Sequence, residues 1–325
     1  MPPVTDMPAP EPRAEAPPAL PPPTRWSQRQ PLAATGVYAG LYLALAVAGG
    51  VLDLKGPPSL LTWLLITLAG IATTLLSLLA VLGLCRLRLS AAAEWGLFLG
   101  SALALVLVRP ELPLLLARML RVGKGALLTL THLPHLPSSA VTATLGSLLL
   151  MVWATFLGRL VSRLVREGKL LLPVAVAAAV ADVITVFWGV VATAQKEAPR
   201  VVEALSAQAP VKPPEGMVAP ILTSIGMGDF LFLAVFLMMT LRYAMNPAKT
   251  IWVVFAAMVV APLAFIIVPG LPGLPGLPFI SAAVLFVNWR YLDFTKDEKR
   301  SLAIAAGLLA VLIAALAATL MRRAH

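Results

Sequence analysis

One cysteine, Cys85, and three histidines, His132, His135 and His325, are all the thiol and imidazole that 325 residues contain. A single cysteine excludes an internal disulfide framework. With no HExxH pair among so few histidines, no metal site is expected. Serine chemistry lacks its frame as well, since no GxSxG occurs and the histidines stand away from plausible nucleophiles. Charge is scarce too. Only 12% of residues are charged, against about 25% in an ordinary soluble domain.

What fills the chain instead is apolar. Hydrophobic residues make up 59%, mean hydropathy is +0.90, and the apolar positions come in long runs. A run of about 20 such residues matches the hydrocarbon thickness of a bilayer. Backbone groups in lipid must pair within the segment, so these runs are helices. The expected fold is all-α: a polytopic transmembrane bundle of an integral, multi-pass protein, with a cell membrane as its location and the lipid bilayer as its surroundings. The net charge of +10 does not argue for nucleic acid. The basic residues are scattered through short connections, where positive charge orients membrane proteins, rather than gathered with aromatics into one patch.

Residues 1–34 hold 11 of the 29 prolines and read as a disordered Pro-rich tail. Apolar spans follow at 33–54, 57–84, 89–108, 139–162, 170–195, 217–241, 250–268, 276–292 and 301–321, about nine in all. In segment 111–131, Arg118, Arg121 and Lys124 lie about one turn apart, which suits a helix lying in the interface. The chain thus divides into the tail, N-terminal membrane helices over 35–169, a second group over 170–292, and an extra C-terminal helix within 293–325. Orientation depends on segment 111–131. If it does not cross, the N-terminus, Arg86/Arg88, Arg159 to Lys169 and Arg290 to Arg300 share one side, the expected cytoplasmic one; if it crosses, the bias nearly vanishes.

Two acids lie near the centres of spans: Asp182 in LLLPVAVAAAVADVITVFWGVVATA and Asp229 in MVAPILTSIGMGDFLFLAVFLMMTL. An ionisable residue at that depth costs about 2.5–3.5 kcal/mol or more, so function is its default explanation. Glu94 stands nearer an end of its span and Asp53 at a boundary. Asp182 precedes Lys196 by 14 residues and Asp229 follows Glu215 by 14. Adjacent antiparallel helices would therefore set both carboxylates roughly 21 Å from one membrane face, able to face each other. Two such carboxylates share one proton and titrate as a pair. The ionised one can take a proton from water while its protonated partner polarises a carbonyl. That chemistry hydrolyses peptides with no covalent intermediate, no metal and no cofactor. Gly226, Gly228 and the small residues Ala177 to Ala179 and Ala181 would let backbones approach closely here.

IGMGDFLF at 225–232 resembles the GxGD motif of the presenilin and signal peptide peptidase family of intramembrane aspartyl proteases. ADVITVF at 181–187 is similar to the family's first aspartate motif, and LPGLPFIS at 274–281 to its Pro-Ala-Leu motif. The resemblance covers about 170–292 and implies a presenilin-like bundle with Asp182 and Asp229 catalytic. It also implies that Gly226, Met227 and Gly228, with Pro275, Gly276 and Leu277, border the site and hold substrate. Ala181 replaces the family's usual tyrosine, and Gly276 its alanine. The implied substrate is a transmembrane helix that unwinds near the acids and is held extended, strand pairing being one way to do so. Phe187, Trp188 and Phe230 could line that groove. A type IV prepilin peptidase also carries GxGD, but usually with Lys-Leu following where Phe230-Leu231 stand here. A proton-coupled transporter would use buried acids as relays, and a non-catalytic scaffold would keep only the fold. Oligomeric state and any need for partner subunits are left open by the sequence.

Overall fold

The computed structural model describes residues 29–51, 60–109, 140–187, 205–208, 224–261 and 275–300. Eight α-helices and a two-stranded sheet occupy them: α1 (Arg29–Val51), α2 (Leu60–Arg86), α3 (Ala91–Val108), α4 (Ala140–Ser162), α5 (Leu171–Phe187), β1 (Ser206–Gln208), β2 (Ser224–Gly226), α6 (Met227–Arg242), α7 (Pro247–Val260) and α8 (Leu277–Asn288). Stretches within α2, α3, α4 and α5 are long and apolar enough to cross a membrane. The apolar helices at the expected spans 33–54, 217–241, 250–268 and 276–292 are shorter within the described residues, while 301–321, the interfacial segment 111–131 and residues 1–28 of the expected tail lie outside them. Helix α1 starts at Arg29, so the last six residues assigned to that tail are helical.

Helix α6 forms the centre. Phe230, Leu233, Ala234, Val235, Phe236, Leu237 and Met239 are all essentially inaccessible, on every side of the helix. It packs chiefly on α4, where glycine allows close approach. A Cβ on Gly158 would stand 2.8 Å from the Ala234 Cβ and would press on the Leu231 carbonyl. Small residues at such crossings let dispersion contacts hold helices together where lipid offers no hydrophobic drive. Helix α3 is peripheral, with Leu99, Leu103 and Leu107 each more than half exposed. An apolar outer surface of this kind suits lipid rather than water.

The expected span 217–241 needs correction. Residues Ser224–Gly226 form strand β2, antiparallel to β1 with Ser206 opposite Gly226 and Gln208 opposite Ser224. Helix α6 begins only at Met227, whose N–H donates to the Leu205 carbonyl at 3.1 Å. Glycines at 226 and 228 and β-branched Ile225 make a poor helix start further upstream. The stretch between the expected spans 170–195 and 217–241 contributes the partner strand, β1.

Polar groups tie the helix ends at one face of the bundle. Arg242 donates to the Ser162 and Val165 carbonyls. Asn288 accepts the Asn246 N–H and donates to Thr250 Oγ1 at 2.8 Å, joining the end of α8 to the start of α7. Lys169 pairs with Glu298. At the other end of α3, Arg109 donates to the Ala143 carbonyl at the start of α4. Helix α3 thus ends on the face where α4 begins. The Arg86/Arg88, Arg159 to Lys169 and Arg290 to Arg300 clusters consequently share one face.

The strongest of these ties joins Glu94, Arg159 and Arg163. Glu94 is 1% exposed and Arg159 2%. Arg159 meets Glu94 Oε1 at 2.5 Å and donates to the carbonyls of Leu84, Cys85 and Leu87, while Arg163 holds Glu94 Oε2 at 2.7 Å. The guanidinium fork satisfies the orphan carbonyls at the end of α2. Read from sequence as an acid near a span end, Glu94 is half of a fully buried ion pair.

Candidate active site

Asp229 occupies the first turn of α6, where its Oδ2 accepts the Gly226 N–H at 3.2 Å. An acid in this position satisfies one orphan donor and complements the positive end of the helix. Asp182 lies on α5 and its Oδ2 accepts the Leu277 N–H at 3.0 Å, at the start of α8; the Gly276 amide also faces it. Each acid therefore sits at a helix N-terminus, Asp229 at its own and Asp182 at a neighbour's. Two N-terminal dipoles converge on the pair, an arrangement that favours negative charge there.

The turn Pro275–Gly276 brings the acids together. Pro275 is buried and Leu277 is 5% exposed. A Cβ on Gly276 would lie 2.7 Å from Asp229 Oδ1 and 3.0 Å from Oδ2. Both carboxylates thus abut one two-residue segment, Asp182 through the Leu277 amide and Asp229 against the bare Gly276 Cα. They are near enough for their charges to interact. Oδ1 of Asp229 accepts no hydrogen bond among the described residues and stays open to a water or a carbonyl.

The route to this meeting differs from the one read off the sequence. Helix α5 packs mainly on α8 and touches α6 only lightly, so the acids are not carried by a simple pair of adjacent helices. Their equal depth comes from the other face. Thirteen residues separate Lys169 from Asp182 and thirteen separate Asp229 from Arg242, which is about 20 Å along either helix. The earlier measure, counted through residues 216–226 as if helical, fails because β2 lies in that stretch.

Other expected site residues divide. Gly226 closes β2 and a Cβ there would meet only Asp229 Oδ2, at 3.3 Å. Gly228 has no described atom within 4 Å of an added Cβ, so open space lies beside it. Met227 is half-buried and packs on the core beside Leu105 and Leu150. Ala181 is exposed. Phe230 is 1% exposed and belongs to the core, not to an open groove; Trp188 and the Phe187 side chain lie outside the described residues. Among the described residues no group of acids, cysteines or histidines could hold a metal.

Sequence reading missed Gly276 as the point of closest approach and the β1–β2 pair beside Asp229. The Pro-Gly-Leu stretch before an apolar helix was the visible signal that Gly276 lies near the acids, but not that it touches Asp229. No family model, curated protein or solved structure matches the chain.

Proposed function

We propose that this chain is a presenilin-like intramembrane aspartyl protease of about nine spans. Asp182 and Asp229 would hydrolyse a peptide bond of a transmembrane helix with water. The observation that carries this reading is the convergence of two acids and a Pro-Gly-Leu turn from three distant parts of the sequence. Helix capping alone would explain each aspartate singly, but it gives no reason for two of them to share one turn.

In the proposed reaction the pair holds one proton. The ionised carboxylate takes a proton from water, and the resulting hydroxide character attacks the scissile carbonyl, whose oxygen the protonated carboxyl polarises. The tetrahedral intermediate then collapses as the leaving nitrogen receives a proton from the pair. One shared proton makes the rate fall at both low and high pH. The substrate must be extended, because a helix hides its carbonyls in its own hydrogen bonds. Strand β2 ends at Gly226, three residues before Asp229, and among the described residues the sheet has two strands, to an edge of which an unwound segment would add a third.

The test uses the full chain reconstituted in lipid with a synthetic transmembrane helix, comparing Asp182→Asn and Asp229→Asn with the parent. Asparagine caps helices about as well as aspartate, so both variants should fold and melt like the parent while cleavage disappears. Cleavage that survives either change sinks the protease reading. A chain that never cleaves but moves protons across vesicles would be the transporter, and one that does neither would be the scaffold.

A further inference from the structure

A cavity of about 980 Å³ opens at the basic face, at the other end of α6 from the acids and bounded by α1, α2, α6 and α7. Met238 lies nine residues beyond Asp229 on α6, about 14 Å along the helix, so the two sites are separate. Its charged lining is five arginines, Arg86, Arg88, Arg159, Arg163 and Arg242, against one acid, Glu94. Arg159 and Arg163 neutralise that acid. Arg242 uses Nη1 on two carbonyls. Arg86 and Arg88 are exposed and form no ion pair among the described residues. The remaining wall is apolar, with Leu79, Leu82, Leu241 and Ile251, and the half-exposed Trp252 stands beside it.

We propose that this cavity binds an anionic phospholipid, its phosphate on Arg86, Arg88 and Arg242 and its acyl chains along the Leu79–Leu82 and Leu241–Ile251 wall. Positive charge that merely orients the protein would be spread over the loops of that face. Here it meets a cleft of ligand size, between helices, with a tryptophan at the level where head groups lie. Basic pockets between membrane helices are suited to lipid head groups, because the arginine fork matches phosphate oxygens. The apolar wall distinguishes a lipid from free phosphate, which would leave that surface in contact with water.

The full chain, purified and stripped in neutral detergent, is titrated with phosphatidylglycerol or phosphatidylcholine, and bound lipid is counted by native mass spectrometry. Phosphatidylglycerol should bind at least about tenfold more tightly, and Arg86→Gln with Arg88→Gln should remove that preference. Arg166→Gln with Arg300→Gln, on the same face outside the cavity, should leave it intact. Trp252→Phe should remove part of the tryptophan quenching by bromine-labelled phosphatidylglycerol. Equal binding of the two lipids overturns the proposal, as does an equal effect of both charge pairs. Full displacement by inorganic phosphate would assign the arginines to a soluble anion and overturn it too.

Discussion

The backbone N–H of Leu277 donates to Asp182 Oδ2 across 95 residues of sequence. That bond places one aspartate at the head of α8, and the glycine just before Leu277 lies against the other aspartate. Substitution at this turn should therefore act on the acids before it acts on the fold.

Gly276→Ala would put a methyl within 2.7 Å of Asp229 Oδ1. The obstacle is the end of a side chain, so the carboxylate can move aside and the protein should melt normally. Displacing a reacting group by about 1 Å can cost up to about 100-fold in rate. Turnover of a transmembrane peptide should drop for alanine and drop further for valine, while thermal stability in detergent stays within error of the parent.

Gly158→Ala meets backbone as well as side chain, at Leu231 and Ala234 on α6. Neither can rotate away, so α4 and α6 must separate. Overpacking of this kind costs about 1–3 kcal/mol, and a lower melting temperature measures it. An unchanged melting temperature would contradict the packing described for the centre of the bundle.

Arg159→Leu removes the partner of a buried carboxylate and three carbonyls at once. Breaking one side of a buried pair costs about 3–5 kcal/mol, and Arg163, still on Glu94 Oε2, should hold the loss toward the lower end. Adding Glu94→Gln to Arg159→Leu should restore part of the loss. Expression and melting of the two single variants and the double variant form the cycle that measures the coupling.

Glu298, outside the membrane-spanning segments, is held below the usual carboxylate range chiefly by its hydrogen bond from Lys169, then by the Thr295 N–H. A lowered folded value means the contribution is present above the unfolded value and fades as pH falls through the folded one. Glu298→Gln should thus lower the melting temperature slightly at about pH 6, and the difference should fade as pH falls through the lowered folded value. The pair is partly exposed, so salt should shrink the effect.

The apolar runs at 33–54, 57–84, 89–108, 139–162 and 170–195 each contain a helix, because composition and the need to pair backbone in lipid leave no other local solution. The two acids stood out for the same reason: a charge inside such a run has a cost that some partner must offset. What the runs could not disclose was where a helix fails to form within an apolar stretch. Ser224–Gly226 is apolar enough to be read as part of a span, yet it pairs with β1, where Gly226 faces Ser206, 20 residues earlier. Periodicity records burial and is blind to which backbone supplies the hydrogen bonds. Nor does sequence spacing show that α5 leans on α8 more than on α6, or that Arg159 reaches Glu94. Those pairings depend on how helices cross, which side-chain shape decides at contacts such as Gly158 on α6 and Gly276 on Asp229. Composition and local chemistry by themselves determined the helices and singled out the acids; only the packing of distant segments decided which groups each acid meets.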